Sequence, residues 1–211
     1  MSADPAPDPR YPTEPIAAGR LGLIVIDMQV GFLDPTEPTA VPAAADIVAA
    51  VNAASRAVRA AGGLVVFTRH TIVDEGPGAL PPRERALIPY AIAGRFAPGA
   101  LTHALHPAIE VAPDDLIVDK YRYSALAVRS SPLDAMLRQR GIDTIAIAGT
   151  LTNVCCESTA RDGYSLDYRL FFLSDSTAAA SDEEQAMTLA TLGRYFACVL
   201  DTEALVATLA A

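Results

Sequence analysis

Short apolar runs recur along this chain, each followed by a stretch with helical character, and that alternation constrains its fold more than any other feature. LGLIVID (21–27), LVVFTR (64–69), DLIVDK (115–120), DTIAIAG (143–149), YRLFFLSD (168–175) and FACVL (196–200) are too short and too β-branched or aromatic for helices. Runs with so little polar interruption suit strands buried on both faces, as in a parallel sheet. Between them, helical patterns are expected over 43–61, 132–140, from about Asn153 onward, over 182–193 and at the C-terminus, with Gly62-Gly63 closing the first. The expected fold is α/β: a three-layer α-β-α sandwich around a doubly wound, mostly parallel six-stranded sheet of Rossmann-like type, joined by right-handed crossovers.

At 211 residues, and 51% hydrophobic with 19% charged, the chain suffices for one well-filled domain without disulfide or metal staples. Five of its sixteen prolines fall within the first fifteen residues among Asp, Ser, Thr and Glu. Residues 1–18 therefore read as a flexible arm and 19–211 as the folded domain. Residues 71–100 are Pro- and Gly-rich without a clear period, longer than a plain connection, and 74–100 read as a lid over a site. A formal net charge of −9 with no basic block argues against nucleic acid or an anionic membrane surface as partner. No apolar run reaches the roughly 18–20 residues of a membrane span, and the start lacks a signal-peptide pattern. A cytoplasmic location is expected. Cys155, Cys156 and Cys198 match neither a metal finger nor a disulfide framework and read as free thiols.

In such sheets ligands bind beyond the carboxyl ends of the strands. Asp27 closes the first strand and Lys120 the third, and the fourth runs into GTLTNVCCEST. Carboxylate, ammonium and thiol are thus expected on one rim. Capping by Thr152 or Asn153 would set Cys155 in the first helical turn, where unpaired N–H groups and Lys120 favour a thiolate. Cys156 lies about 100° further round and cannot face the same pocket; it and Cys198 read as core. Taken singly, a Cys is usually a small buried hydrophobe and a charge at a strand end usually meets solvent. Their coincidence at matching ends raises the chemical reading. No G-x-G-x-x-G follows the first strand and no P-loop occurs, which disfavours nucleotides. His70 ends the second strand; His103 and His106 in THALHPAIE suit a surface helix better than a metal site, so no metal is expected.

VIDMQVGFL, DK followed by RYS, and GTLTNVCCESTARDGYSLDYRLFFLSDST, in this order and spacing, resemble the isochorismatase-like cysteine hydrolases from about residue 20 to the end. The resemblance implies a catalytic triad of Asp27, Lys120 and Cys155. It also implies a non-proline cis peptide between Thr150 and Leu151, with the Leu151 and Cys155 N–H groups as an oxyanion hole. Asp27 would take the thiol proton, Lys120 would lower the Cys155 pKa and orient Asp27, and a thioester would form and be hydrolysed with no cofactor. The implied substrate is a small amide or ureido compound, with ammonia released. TRHTIVDEG offers only His70 where nicotinamidases carry an Asp and two His for a metal, and the Cys argues against a vinyl ether hydrolase. KYRYSALAVRSSPLDAMLRQRGI is most similar to the ureidoacrylate and N-carbamoyl amidohydrolase branch. The match departs between Ser124 and Pro132, a longer segment here, and at Ser131, where Thr is usual. Phe32, Tyr121, Arg122 and Tyr123 are placed in or near the substrate pocket, Arg122 as a partner for an anionic substrate end. A homo-oligomer, dimer or tetramer, follows from the resemblance alone. A thiol redox or ligand-binding module on the same fold is the non-enzymatic alternative.

Overall fold

The computed structural model describes residues 16–76, 78–86 and 94–209. Most of the expected arm, and residues 77 and 87–93 of the expected lid, lie outside these. Six parallel strands form one sheet in the order β3-β2-β1-β4-β5-β6. They are β1 (Leu21–Ile26), β2 (Leu64–His70), β3 (Leu116–Lys120), β4 (Thr144–Thr150), β5 (Arg169–Ala178) and β6 (Cys198–Leu200). The helices are α1 (Val30–Leu33), α2 (Val48–Ala60), α3 (Pro82–Arg85), α4 (Leu133–Gln139), α5 (Glu157–Ser165), α6 (Asp182–Tyr195) and α7 (Thr202–Leu209). The strand order reverses between β1 and β4, and that switch point is where a doubly wound sheet opens a crevice at its carboxyl edge.

β1 shows why the run at 21–26 has no polar residue. Leu21, Leu23 and Val25 pack into one core with Val51, Ala54 and Val58 of α2 and Leu205 of α7. Ile24 and Ile26 enter the opposite core with Leu133 and Leu137 of α4, Ala160 of α5 and Leu192 of α6. The period-2 alternation puts successive side chains into two different hydrophobic layers, so each must be apolar. Ile16 is also buried, in the first of these cores.

The expected helix over 43–61 is shorter, starting at Val48 after a run of turns, and it ends as expected at Gly62, whose φ of 85° suits glycine. α6 begins at Ser181, whose hydroxyl accepts from the Glu184 N–H. The surface helix expected around His103 is replaced by a single 3₁₀ turn, Leu101–His103, and His103 is buried. Its Nε2 lies 2.8 Å from Thr71 Oγ1 and 3.6 Å from Asp119 Oδ1, partners that only the fold brings to it. Within the region expected to cover a site, Phe96 is fully buried and its carbonyl accepts from the Ile72 N–H. Among the described residues no helix is long and apolar enough to cross a membrane.

Candidate active site

The carboxyl ends of β1, β3 and β4 bring Asp27, Lys120 and Cys155 into contact. Lys120 Nζ is 2.7 Å from Asp27 Oδ2 and 3.4 Å from Cys155 Sγ, and it donates to the Arg122 carbonyl at 3.0 Å. Two hydrogen bonds and a charge pair with Asp27 compensate the ammonium, the condition under which a fully buried lysine is tolerated. Lys120 is also the only lysine of the chain, the other fifteen basic residues being Arg. A compact ammonium fits where a planar guanidinium would not.

Asp27 is held by backbone and side chain together. It adopts φ 50°, its N–H meets the Thr68 carbonyl and hydroxyl at 3.2 Å each, and its Oδ1 accepts from Thr68 Oγ1 at 2.7 Å. Cys155 sits in a π-helical turn, Thr152–Cys156, that leads into α5. Neither Thr152 nor Asn153 caps this turn: Thr152 Oγ1 and Asn153 Oδ1 have no partner among the described residues, and Leu151 occupies the N-cap position. The peptide between Thr150 and Leu151 is cis, in agreement with the resemblance. Cys156 is fully buried with its Sγ 3.9 Å from the Ala148 carbonyl, and Cys198 is half-buried against the other core.

The protonation of Cys155 corrects the expectation from helix position. Burial pushes the thiol up to about 12, against the pull of Lys120; the Asp27 charge and a hydrogen bond to Asp27 push the same way as burial. The resting group is therefore a thiol that donates to the carboxylate. Lys120 stays protonated: burial pushes it down, but Asp27 and Cys155 more than offset this. A pH consequence follows with a definite sign. Below the ordinary thiol value of 9.0 the folded and unfolded chains both hold this proton; between that and about 12 only the folded chain does, so this group's contribution to stability is lost as pH rises through that window. Alkylation of Cys155 in the free protein is accordingly expected to be slow at pH 7 and to climb continuously to at least pH 10, measured by intact mass against time. A plateau below pH 8 would mean a thiolate at rest.

The remaining expected pocket residues divide into two groups. Phe32 stacks on Phe96 with ring centroids 4.6 Å apart, and Tyr123 stacks on His70 at 6.1 Å. These rings stand together at the end of β2. Tyr121 instead faces a cavity of about 260 Å³ with Gly78, Arg129, Ser130 and Ser131. The Arg122 guanidinium donates to the carbonyls of Tyr121 (2.6 Å), Gly78 (3.1 Å) and Ala79 (3.5 Å), so it fastens the 78–79 segment over β3. Arg122→Ala is expected to make the peptide bonds near Gly78 about tenfold more sensitive to limited proteolysis, with a small change in global stability.

Sequence reasoning missed Thr68, Gln29 and Phe96, and placed His70 only as the end of the second strand. Gln29 is fully buried: its Oε1 accepts from the His70 N–H at 2.7 Å, and its Nε2 donates to the carbonyls of His70 (3.1 Å) and His103 (2.9 Å). A polar residue two positions beyond a strand-end acid was the available signal for Gln29. No group of three or more His, Cys, Asp or Glu side chains able to hold a metal ion occurs among the described residues.

The six-stranded doubly wound sheet places the chain among the isochorismatase-like α/β hydrolases. Residues 22–204 match the isochorismatase domain, and the chain belongs to that family. The ureidoacrylate amidohydrolase RutB of Stutzerimonas stutzeri is 34% identical over 90% of this chain and 84% of its own length. RutB of a Methylorubrum extorquens strain is 35% identical over 93% and 86%. Among solved structures, a cysteine hydrolase from Pseudomonas syringae pv. phaseolicola superposes with a TM-score of 0.86 at 34% identity, covering 93% of this chain and 95% of that one. An isochorismatase-like hydrolase from Alkaliphilus metalliredigens gives 0.78 at 26%, covering 89% and 98%.

Proposed function

We propose that the protein hydrolyses a small, non-peptide ureido or carboxamide C–N bond through a covalent acyl-enzyme on Cys155, with Asp27 as general base and acid and Lys120 as the fixed charge between them. The single observation that carries this reading is the Lys120 ammonium, buried and in contact with both Asp27 and Cys155. The likeness to ureidoacrylate amidohydrolases supports a C–N bond as the target.

Because the resting thiol is protonated, proton transfer and attack are coupled. The sulfur attacks the carbonyl carbon as its proton passes to Asp27, and Lys120 stabilises the negative charge while it moves from carboxylate to sulfur. The oxyanion is received by the N–H groups of Leu151 and Cys155. Asp27 then gives its proton to the departing nitrogen as the C–N bond breaks, leaving a thioester, or a carbamoyl-sulfur bond if the substrate is a ureido compound. Water delivers a proton to Asp27 and its oxygen to the carbonyl carbon. The thiolate leaves and is reprotonated by Asp27, and the acid or carbamate departs; carbamate breaks down to carbon dioxide and ammonia. Lys120 stays protonated throughout, and the thiol proton carried off on the leaving nitrogen is replaced by one from water.

The redox alternative is disfavoured by the same thiol. A group held up to about 12 has almost no thiolate at neutral pH and reacts slowly with peroxide. The resemblance further implies a homo-oligomer, which light scattering on the full chain would read directly.

The test is ammonia release from a panel of small amides, N-carbamoyl acids and ureido acids. Cys155→Ser is expected to abolish turnover, and Cys156→Ser to retain it, because the Cys156 side chain is turned into the core toward the Ala148 carbonyl. Silence of the wild type across the panel, or loss in Cys156→Ser alone, would overturn the proposal.

A further inference from the structure

His70 is a strand-end side chain at this rim that the chemistry above does not use. It pairs with Lys120 across the β2–β3 register, is 2% exposed, and neither of its ring nitrogens has a partner among the described residues. Buried imidazole nitrogens are normally satisfied. The position is nevertheless tightly built. Gln29 grips both the N–H and the carbonyl of His70. Phe96 meets the ring edge-on at 5.8 Å, Phe32 tilts toward it at 6.4 Å, and Tyr123, itself 40% exposed, stacks on it as an outer wall. A polar ring with unmet hydrogen bonds, fixed by backbone clamps within an aromatic frame beside the reactive group, has the anatomy of a recognition contact for a flat polar molecule.

We propose that His70 is the specificity-determining residue of this site, accepting a hydrogen bond from the N–H adjacent to the scissile carbonyl of a ureido substrate that enters past Tyr123, the partly exposed ring of this frame. The inference rests on the reading of Cys155 as nucleophile and extends it to the chemical class of the substrate. An acceptor is what the ring supplies. Burial first, then the neighbouring Lys120 ammonium, holds its pKa down to about 3, so the imidazole is neutral at any working pH and keeps one bare nitrogen. A substrate with oxygen in place of that N–H has no proton to give this nitrogen and is met only through the other tautomer, whose N–H would face a weakly accepting carbamate ester oxygen. The site thereby selects –NH–CO–NH₂ over the isosteric –O–CO–NH₂.

The experiment compares a ureido acid with its O-carbamoyl isostere in wild type, His70→Phe and His70→Leu, with His70→Asn as the variant that keeps an acceptor. Intrinsic reactivities cancel when the ratio of kcat/KM for the two compounds is compared between proteins. In the Phe and Leu variants that ratio is expected to fall about tenfold or more, through a higher KM for the ureido compound, and Asn is expected to recover part of it. Cys155 alkylation in the absence of substrate should be unchanged. An unaltered ratio in whichever of the Phe and Leu variants folds would overturn the assignment. If the wild type consumes neither compound, the nucleophile proposal fails separately, and protection of Cys155 from alkylation by the same pair gives the ratio by binding. Equal protection by both compounds would then remove His70 from recognition.

Discussion

Lys120→Met is expected to lower turnover by about 10³-fold or more and to destabilise the fold by about 3–5 kcal/mol. The side chain is fully buried and its ammonium neutralises a carboxylate that is itself fully buried. Removing one partner leaves Asp27 charged and desolvated, which costs far more than the pair contributed. The melting temperature should drop by roughly 10 °C, at about 2–4 °C per kcal/mol for a domain of this size. Two controls separate charge from packing. Asp27→Asn combined with Lys120→Met should regain much of the lost stability, since no charge is left bare, while remaining inactive. Lys120→Arg should rescue neither property, because the guanidinium cannot place its donors on Asp27, Cys155 and the Arg122 carbonyl within a lysine-sized space. Thermal unfolding with parallel turnover assays reads all three. Full stability in Lys120→Met would mean that the Lys120–Asp27 contact does not hold the site together, and the role given to Lys120 would fail with it.

Gly149→Ala is expected to be as severe, through the backbone. Gly149 has φ 110°, and a Cβ there would lie 2.0 Å from the Ile26 carbonyl oxygen and 2.6 Å from the Ile26 nitrogen. Both contacts are backbone, and β1 lies between two packed cores, so neither can yield cheaply. The unfavourable φ and the overlap together should cost about 3 kcal/mol or more. The functional loss should exceed the loss in stability. Gly149 pairs with Ile26, at the point where the β4–β5 register shifts, immediately before the Thr150–Leu151 peptide and the turn bearing Cys155. Pushing β4 from β1 separates Cys155 from Asp27. Faster Cys155 alkylation near neutral pH in a variant that still folds would show this, because burial and Asp27 are what hold the thiol proton on; an unchanged rate would place the strain elsewhere.

The alternation of apolar runs and helices was legible because burial on two faces is a local demand. Every residue of β1 must be apolar whichever strands flank it, and a polar residue can enter only where the strand leaves the sheet. That rule points to Asp27, Lys120 and, equally, His70. Boundaries were less legible: the turns before Val48 and the extension of β5 to Ala178 depend on packing against neighbours. His103 was misplaced on a surface helix because its partners, Thr71 and Asp119, lie on other segments of the chain.

The site divides along the same line. Sequence alone determined a parallel α/β sheet and which residues stand at its carboxyl ends, since periodicity and strand termination are written in consecutive residues. Only the tertiary structure decided that Lys120 touches both Asp27 and Cys155, that Gln29 clamps His70, and that Cys155 rests as a thiol. A helix position and a nearby ammonium both suggested a thiolate. Desolvation outweighs them because it grows with the whole shell of atoms packed around the sulfur, and no stretch of sequence specifies that shell.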